Sequence, residues 1–159
     1  MSDAVIFIHG QDSSSRTYKA ELLRAVRPGA LVPDFSGDLA ARMAQLEPLL
    51  AARESWVLVG SSMGGLMAAL WACAHPARVR RLVLLAPAIH LPEFASPPPA
   101  PVDLPAVIYH GTRDTVVPIA PVRTIAEQTF RDLTFHSVDD DHRLHATADS
   151  IDWRALTKA

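Results

Sequence analysis

The chain has 159 residues, enough for one ordinary domain and too few for two independent cores. Hydrophobic residues make up 49% and charged residues 20%, with a mean hydropathy of +0.14, which excludes disordered and fibrous classes. Lys+Arg 15 against Asp+Glu 17 gives a net charge of −2, so no basic field exists to hold a nucleic acid backbone.

From its start the chain reads as alternating strands and helices. The apolar run 4–8 fits a strand buried on both faces and ends at His9-Gly10. A polar loop follows, and Tyr18, Leu22, Leu23 and Val26 then recur at helical spacing up to Pro28-Gly29. Residues 30–33 form a short strand candidate, and Leu39, Met43, Leu46, Leu49 and Leu50 share one side of a second helix. Residues 56–59 form a third apolar run, stopped by glycines, after which 66–74 is apolar nearly all round and reads as a buried helix.

Further strands are expected at 82–85, 106–109 and 133–138, with helices at 119–130 and 150–156. Six of the thirteen prolines fall within 92–105, which reads as a stiff loop inside the domain. The pattern predicts a single α/β domain over 1–159, a doubly wound, mostly parallel sheet of about six strands with helices on both faces. The single cysteine, Cys73, cannot form an internal disulfide, and its place in an apolar helix marks it as core. The longest apolar run, 82–89, contains Pro87 and is too short for a signal core or a membrane span. A cytoplasmic location is expected on both counts.

Chemistry concentrates at Gly60-Ser61-Ser62-Met63-Gly64, a Gly-x-Ser-x-Gly between a predicted strand and a predicted helix. At such a turn the serine is forced into a strained backbone, and the glycines let strand and helix approach closely. The turn also opens a helix, whose unpaired N–H groups would face an oxyanion. Met63 N–H is one expected donor, and Gln11 N–H, in the loop after the first strand, is the other. The competing reading is a plain glycine-rich phosphate turn, but the lysine of a nucleotide-binding loop and the Gly-x-Gly-x-x-Gly spacing are both missing.

A serine nucleophile needs a base within hydrogen-bond reach and a carboxylate to orient that base. In open parallel sheets sites form beyond the carboxyl ends of the strands, which selects Asp114 over Asp103 and Asp132. Its duller role would be a turn aspartate ahead of the helix after Pro118. Of the histidines that follow, His136 lies inside a strand, while His142 and His145 lie beyond its end. His142, the nearer to the strand, is preferred as the base over His145. Asp139, Asp141, His142 and His145 could also be read as a metal site, but the run lacks the glycine of a calcium loop. His9 and His110, each before a glycine at a strand end, are expected to brace loops.

These residues resemble the α/β-hydrolase superfamily, in its small lidless serine-esterase branch. The likeness runs through His9-Gly10, the Gly60–Gly65 turn, His110-Gly111-x-x-Asp114-x-x-Val117-Pro118 and the closing Asp-x-His142, in the order Ser, Asp, His. It implies Ser62 as nucleophile, His142 as base and acid, Asp114 as orienting carboxylate, and Met63 and Gln11 N–H groups as the oxyanion hole. It also implies a small-molecule ester substrate and no cofactor. Neither leading antiparallel strands nor a helical cap is expected, and residues 89–105 are expected to wall an open cleft. The alternatives are a non-catalytic binding protein on the same scaffold and an acyltransferase or lyase using the same three side chains.

Overall fold

In the computed structural model, which describes residues 4–159, the strands β1 (Val5–Ile8) and β2 (Trp56–Ser61) are buried at every position. Their continuous apolar runs follow from cover on both faces. With β3 (Val79–Leu85), β4 (Val102–Gly111) and β5 (Phe130–Val138) they form one parallel sheet in the order β1-β2-β3-β4-β5.

Parallel neighbours require crossovers, and helices supply them. α1 (Tyr18–Val26) and α2 (Leu39–Ala51) lie between β1 and β2, and α3 (Met63–Ala74) with a 3₁₀ turn at Pro76–Arg78 leads to β3. The short α4 (Pro92–Ala95) precedes β4, and α5 (Ile119–Thr129) precedes β5. α6 (His145–Ser150) and α7 (Trp153–Leu156) close the chain.

Alternate strand residues divide the core into two layers. Val5, Phe7, Val57, Val59, Val83 and Leu85 pack with Ala20 and Leu23 of α1, Ala148 of α6, and Trp153 and Leu156 of α7. Ile6, Ile8, Leu58, Leu82, Leu84 and Ile108 pack on the other face with residues of α2, α3 and α5. The sheet is therefore doubly wound.

The strand expected at 30–33 shrinks to a bridge between Leu31 and Ile6, with Leu31 N donating to Val5 O at 2.8 Å and Phe7 N to Leu31 O at 2.9 Å. Pro33 has no N–H to extend the ladder, so the sheet has five strands rather than six. The proline-rich loop is also more ordered than expected. Pro92 sits in the first turn of α4, Phe94 is buried in the core, and β4 already begins at Val102. The helix expected at 150–156 is divided into α6 and α7. Among the described residues no helix is long and apolar enough to cross a membrane.

Candidate active site

Ser62 stands between β2 and α3 at φ 56°, ψ −116°, a region that side chains rarely occupy. Backbone bonds hold it there: its N–H donates to Leu85 O at 3.0 Å, and its carbonyl accepts from Gly65, Leu66 and Ala88. A Cβ at Gly60 would overlap the Gly64 carbonyl, and one at Gly64 would overlap the Ile8 carbonyl. The close approach of β2, α3 and β1 thus depends on glycine at both positions. Ser62 precedes the first turn of α3, yet its side chain makes no capping bond. Its hydroxyl is turned instead toward His142, with Oγ 3.1 Å from Nε2.

His142 Nδ1 lies 2.7 Å from Asp114 Oδ2. A carboxylate only accepts, so Nδ1 carries the proton and the Nε2 lone pair faces the serine hydroxyl. The other Asp114 oxygen accepts from Val116 N at 2.9 Å and Val117 N at 2.8 Å. Burial pushes this carboxyl up, but those two N–H groups and His142 outweigh it and hold the pKa below the ordinary carboxylate value. The loops carrying Asp114 and His142 are joined by Thr112 N to Val138 O at 2.8 Å and Arg113 N to Asp140 O at 3.0 Å. Gly111 sits under this junction, where a Cβ would overlap the Asp140 carbonyl.

His110, fully buried on β4, points Nε2 at Val117 O (2.9 Å), and the same atom is 3.4 Å from Asp114 Oδ2. Burial drives its pKa down against the pull of Val117 and Asp114, so the ring is neutral and its Nε2–H is the donor. Its Nδ1 is buried without a partner.

On the opposite flank lies the loop after β1. Buried His9 accepts from Phe35 N at Nε2 (2.9 Å) and donates from Nδ1 to Gly10 O (2.7 Å). In a trans peptide N–H and C=O point opposite ways, so fixing Gly10 O also fixes the direction of Gln11 N–H. Arg42, 4% exposed, donates to Gln11 O at 3.0 Å and Gly37 O at 2.8 Å. Met63, the other expected donor, is the first residue of α3, where helical geometry leaves the N–H without an intrahelical partner. Arg42 had no role in the expected site. Its signal was readable, since it lies three residues after Leu39 and four before Leu46, on the apolar stripe of α2.

A cleft of about 610 Å³ opens over these groups, lined by residues of the loop after β1, by Thr17, Tyr18 and Lys19, by Ser62 and Val116, and by His142, Arg143 and His145. Residues 89–105, expected to form its wall, do not line it; α1 and α6 take that place because they cover the sheet face beside β1. It is His142 that bonds Asp114, while the second histidine, His145, stacks on Tyr18 with ring centres 3.8 Å apart. Of the acidic run, Asp139 pairs with Arg113, and Asp140 accepts from both the N–H and hydroxyl of Thr147. Among the described residues no three His, Cys, Asp or Glu side chains come together as a metal-holding group. Burial pushes the Cys73 thiol up to about 11.

A doubly wound parallel sheet carrying a strained serine at a strand-to-helix turn defines the hydrolase class of open α/β folds. The family model described as alpha/beta hydrolase fold matches residues 8–104, and the chain belongs to that family. No curated protein matches it. Among solved structures it is similar to a protein assigned to the alpha/beta superfamily hydrolases from Xanthomonas campestris pv. campestris, at 28% identity and TM-score 0.80, covering 98% of this chain and 96% of that one. It is also similar to alpha/beta hydrolase domain-containing protein 10 from mouse (20% identity, TM-score 0.75, 92% and 84% covered). A third is Est1E from Butyrivibrio proteoclasticus, solved with ferulic acid bound (15% identity, TM-score 0.76, 97% and 87% covered).

Proposed function

We propose that the protein is a serine hydrolase that cleaves carboxylic esters or thioesters of small molecules through a covalent acyl-enzyme. The observation that carries this reading is the chain from Ser62 Oγ to His142 Nε2 at 3.1 Å and from His142 Nδ1 to Asp114 Oδ2 at 2.7 Å. Ser62 Oγ attacks the substrate carbonyl while its proton passes to His142 Nε2. The resulting oxyanion sits against the N–H groups of Met63 and Gln11. The tetrahedral intermediate then collapses, the bond to the leaving alcohol or thiol breaks, and His142 returns the proton to that group. Water repeats the sequence on the acyl-enzyme, and the free acid departs. Throughout, the buried Asp114 carboxylate keeps the imidazole in one tautomer and balances its transient charge.

A fluorophosphonate probe should label the wild-type protein at one residue, and Ser62→Ala should abolish both labelling and p-nitrophenyl acetate hydrolysis, by about 10⁴-fold or more. Equal labelling of the alanine variant overturns the assignment.

A further inference from the structure

Among the described residues three large apolar side chains are left exposed, and two of them, Tyr18 (43% exposed) and Val116 (65%), line the cleft that holds Ser62. The third, Leu31, lies beyond the β1 edge of the sheet. Neither cleft residue contributes this exposed surface to the core, and the Tyr18 ring and the Val116 backbone are each held by bonds within the chain. Thr17 caps α1 and so starts the helix at Tyr18. The Tyr18 ring stacks on His145 at an interplanar angle of 23°, and its hydroxyl donates to Asp149. Val116 hangs on the loop of Asp114, its N–H bonded to Asp114 Oδ1 at 2.9 Å. Apolar surfaces already ordered by the fold grip a ligand without the entropy cost of fixing loose side chains.

The charges around the cleft are mixed. Lys19 and Arg143 line it together with Asp12, and burial weakens the Lys19 charge while Asp140 and Asp141 favour it. Lys19 Nζ is also tied to Arg143 O at 2.8 Å. The lining therefore carries charge of both signs, with one of its cations already bonded within the chain, and no pocket of a single sign is formed.

We propose that Tyr18 and Val116 form the subsite that grips the apolar carbon chain of the substrate, so that the site favours neutral esters with a short hydrocarbon chain beside the scissile bond. This rests on Ser62 acting as the nucleophile. Two side chains in an open cleft cover only the first few carbons, so the gain per methylene ends early. The chain belongs to either the acyl or the alcohol part of the ester, and apolar recognition is the same for both.

Two ester series separate these cases: p-nitrophenyl esters from acetate to octanoate, and acetates of alcohols from methyl to hexyl. In one series wild-type kcat/KM should rise about twofold to fourfold per methylene and then level off, in line with partial to full burial of each CH₂. Val116→Thr keeps the shape of the side chain and makes it polar, and it should at least halve the logarithmic slope. Tyr18→Ala should do the same, while Tyr18→Phe, which keeps the ring, retains the slope. A flat wild-type response in both series, or a slope unchanged in both Val116→Thr and Tyr18→Ala, overturns the subsite. Absence of turnover for every ester, with no fluorophosphonate label on Ser62, overturns the hydrolase reading itself and the subsite with it.

Discussion

On one flank of Ser62 the loop after β1 hangs from side chains, with His9 holding the Gly10 carbonyl and Arg42 holding that of Gln11. On the other flank the loops after β4 and β5 are joined backbone to backbone, and the Asp114 carboxylate closes the junction by accepting two main-chain N–H groups. The difference predicts how each flank fails. A loop held by side chains can be loosened by one substitution while the sheet stays intact. A loop joined by its backbone loses less from most side-chain changes and breaks most completely where there is no room for a Cβ.

The largest effect is expected at Gly111. A methyl group there would overlap the Asp140 carbonyl, so the two joined loops must separate. Gly111→Ala should cost about 3 kcal/mol or more in urea unfolding and remove Ser62 labelling at the same time. A loss under about 1 kcal/mol would mean that the junction is looser than described.

The loop after β1 should respond differently. Arg42→Met leaves the Gln11 and Gly37 carbonyls without their partner, at a cost of about 2 kcal/mol, and frees the peptide next to the proposed oxyanion donor. Fluorophosphonate labelling should fall by about tenfold with a native circular dichroism spectrum, less than the full loss of an oxyanion donor. Labelling at the wild-type rate would separate Arg42 from the site.

The smallest effect belongs to His110, which steadies the backbone-held flank from within. Burial lowers its folded pKa, so the unfolded chain takes up a proton at a higher pH than the native chain does. Its neutral burial therefore adds stability above the unfolded value, near 6.5, and this is lost as pH falls through the lower folded value. His110→Leu should lower Tm at pH 7.5 by an amount equal to about 1 kcal/mol and flatten the fall in Tm toward pH 5. His110→Gln should flatten the same fall while restoring part of the stability through an amide donor to Val117 O. An acid response unchanged in both variants would place the titrating group elsewhere.

Much of this arrangement was legible along the chain. The strands around Ser62 are apolar runs, and the glycines at 60, 64 and 65 mark a close approach of strand and helix where a Cβ would overlap its neighbours, with Ser62 at positive φ between them. Asp114 could be selected by its position after a strand. The supports were harder to read. His110 and His9 stand before glycines and were recognisable as braces, but their acceptors, Val117 O and Gly10 O, depend on how the loops turn. The prolines of residues 89–105 read as a stiff loop that walls the cleft, whereas Phe94 draws the segment into the core on the other face of the sheet.

Local pattern was sufficient for the alternation of strands and helices, the order Ser62, Asp114, His142 and the orphan N–H groups at the start of α3, since each follows from residue spacing and backbone sterics within a few positions. Position just after the last strand favours His142 over His145, but the pairing of His142 with Ser62 is not local. It depends on a contact across 80 residues, set by the register of β5 against β4 and by the stacking of His145 on Tyr18. The walls of the cleft were likewise decided by which helices cover which face of the sheet. Such contacts arise only when distant segments compete for the same space, and no periodicity in the chain records the outcome of that competition.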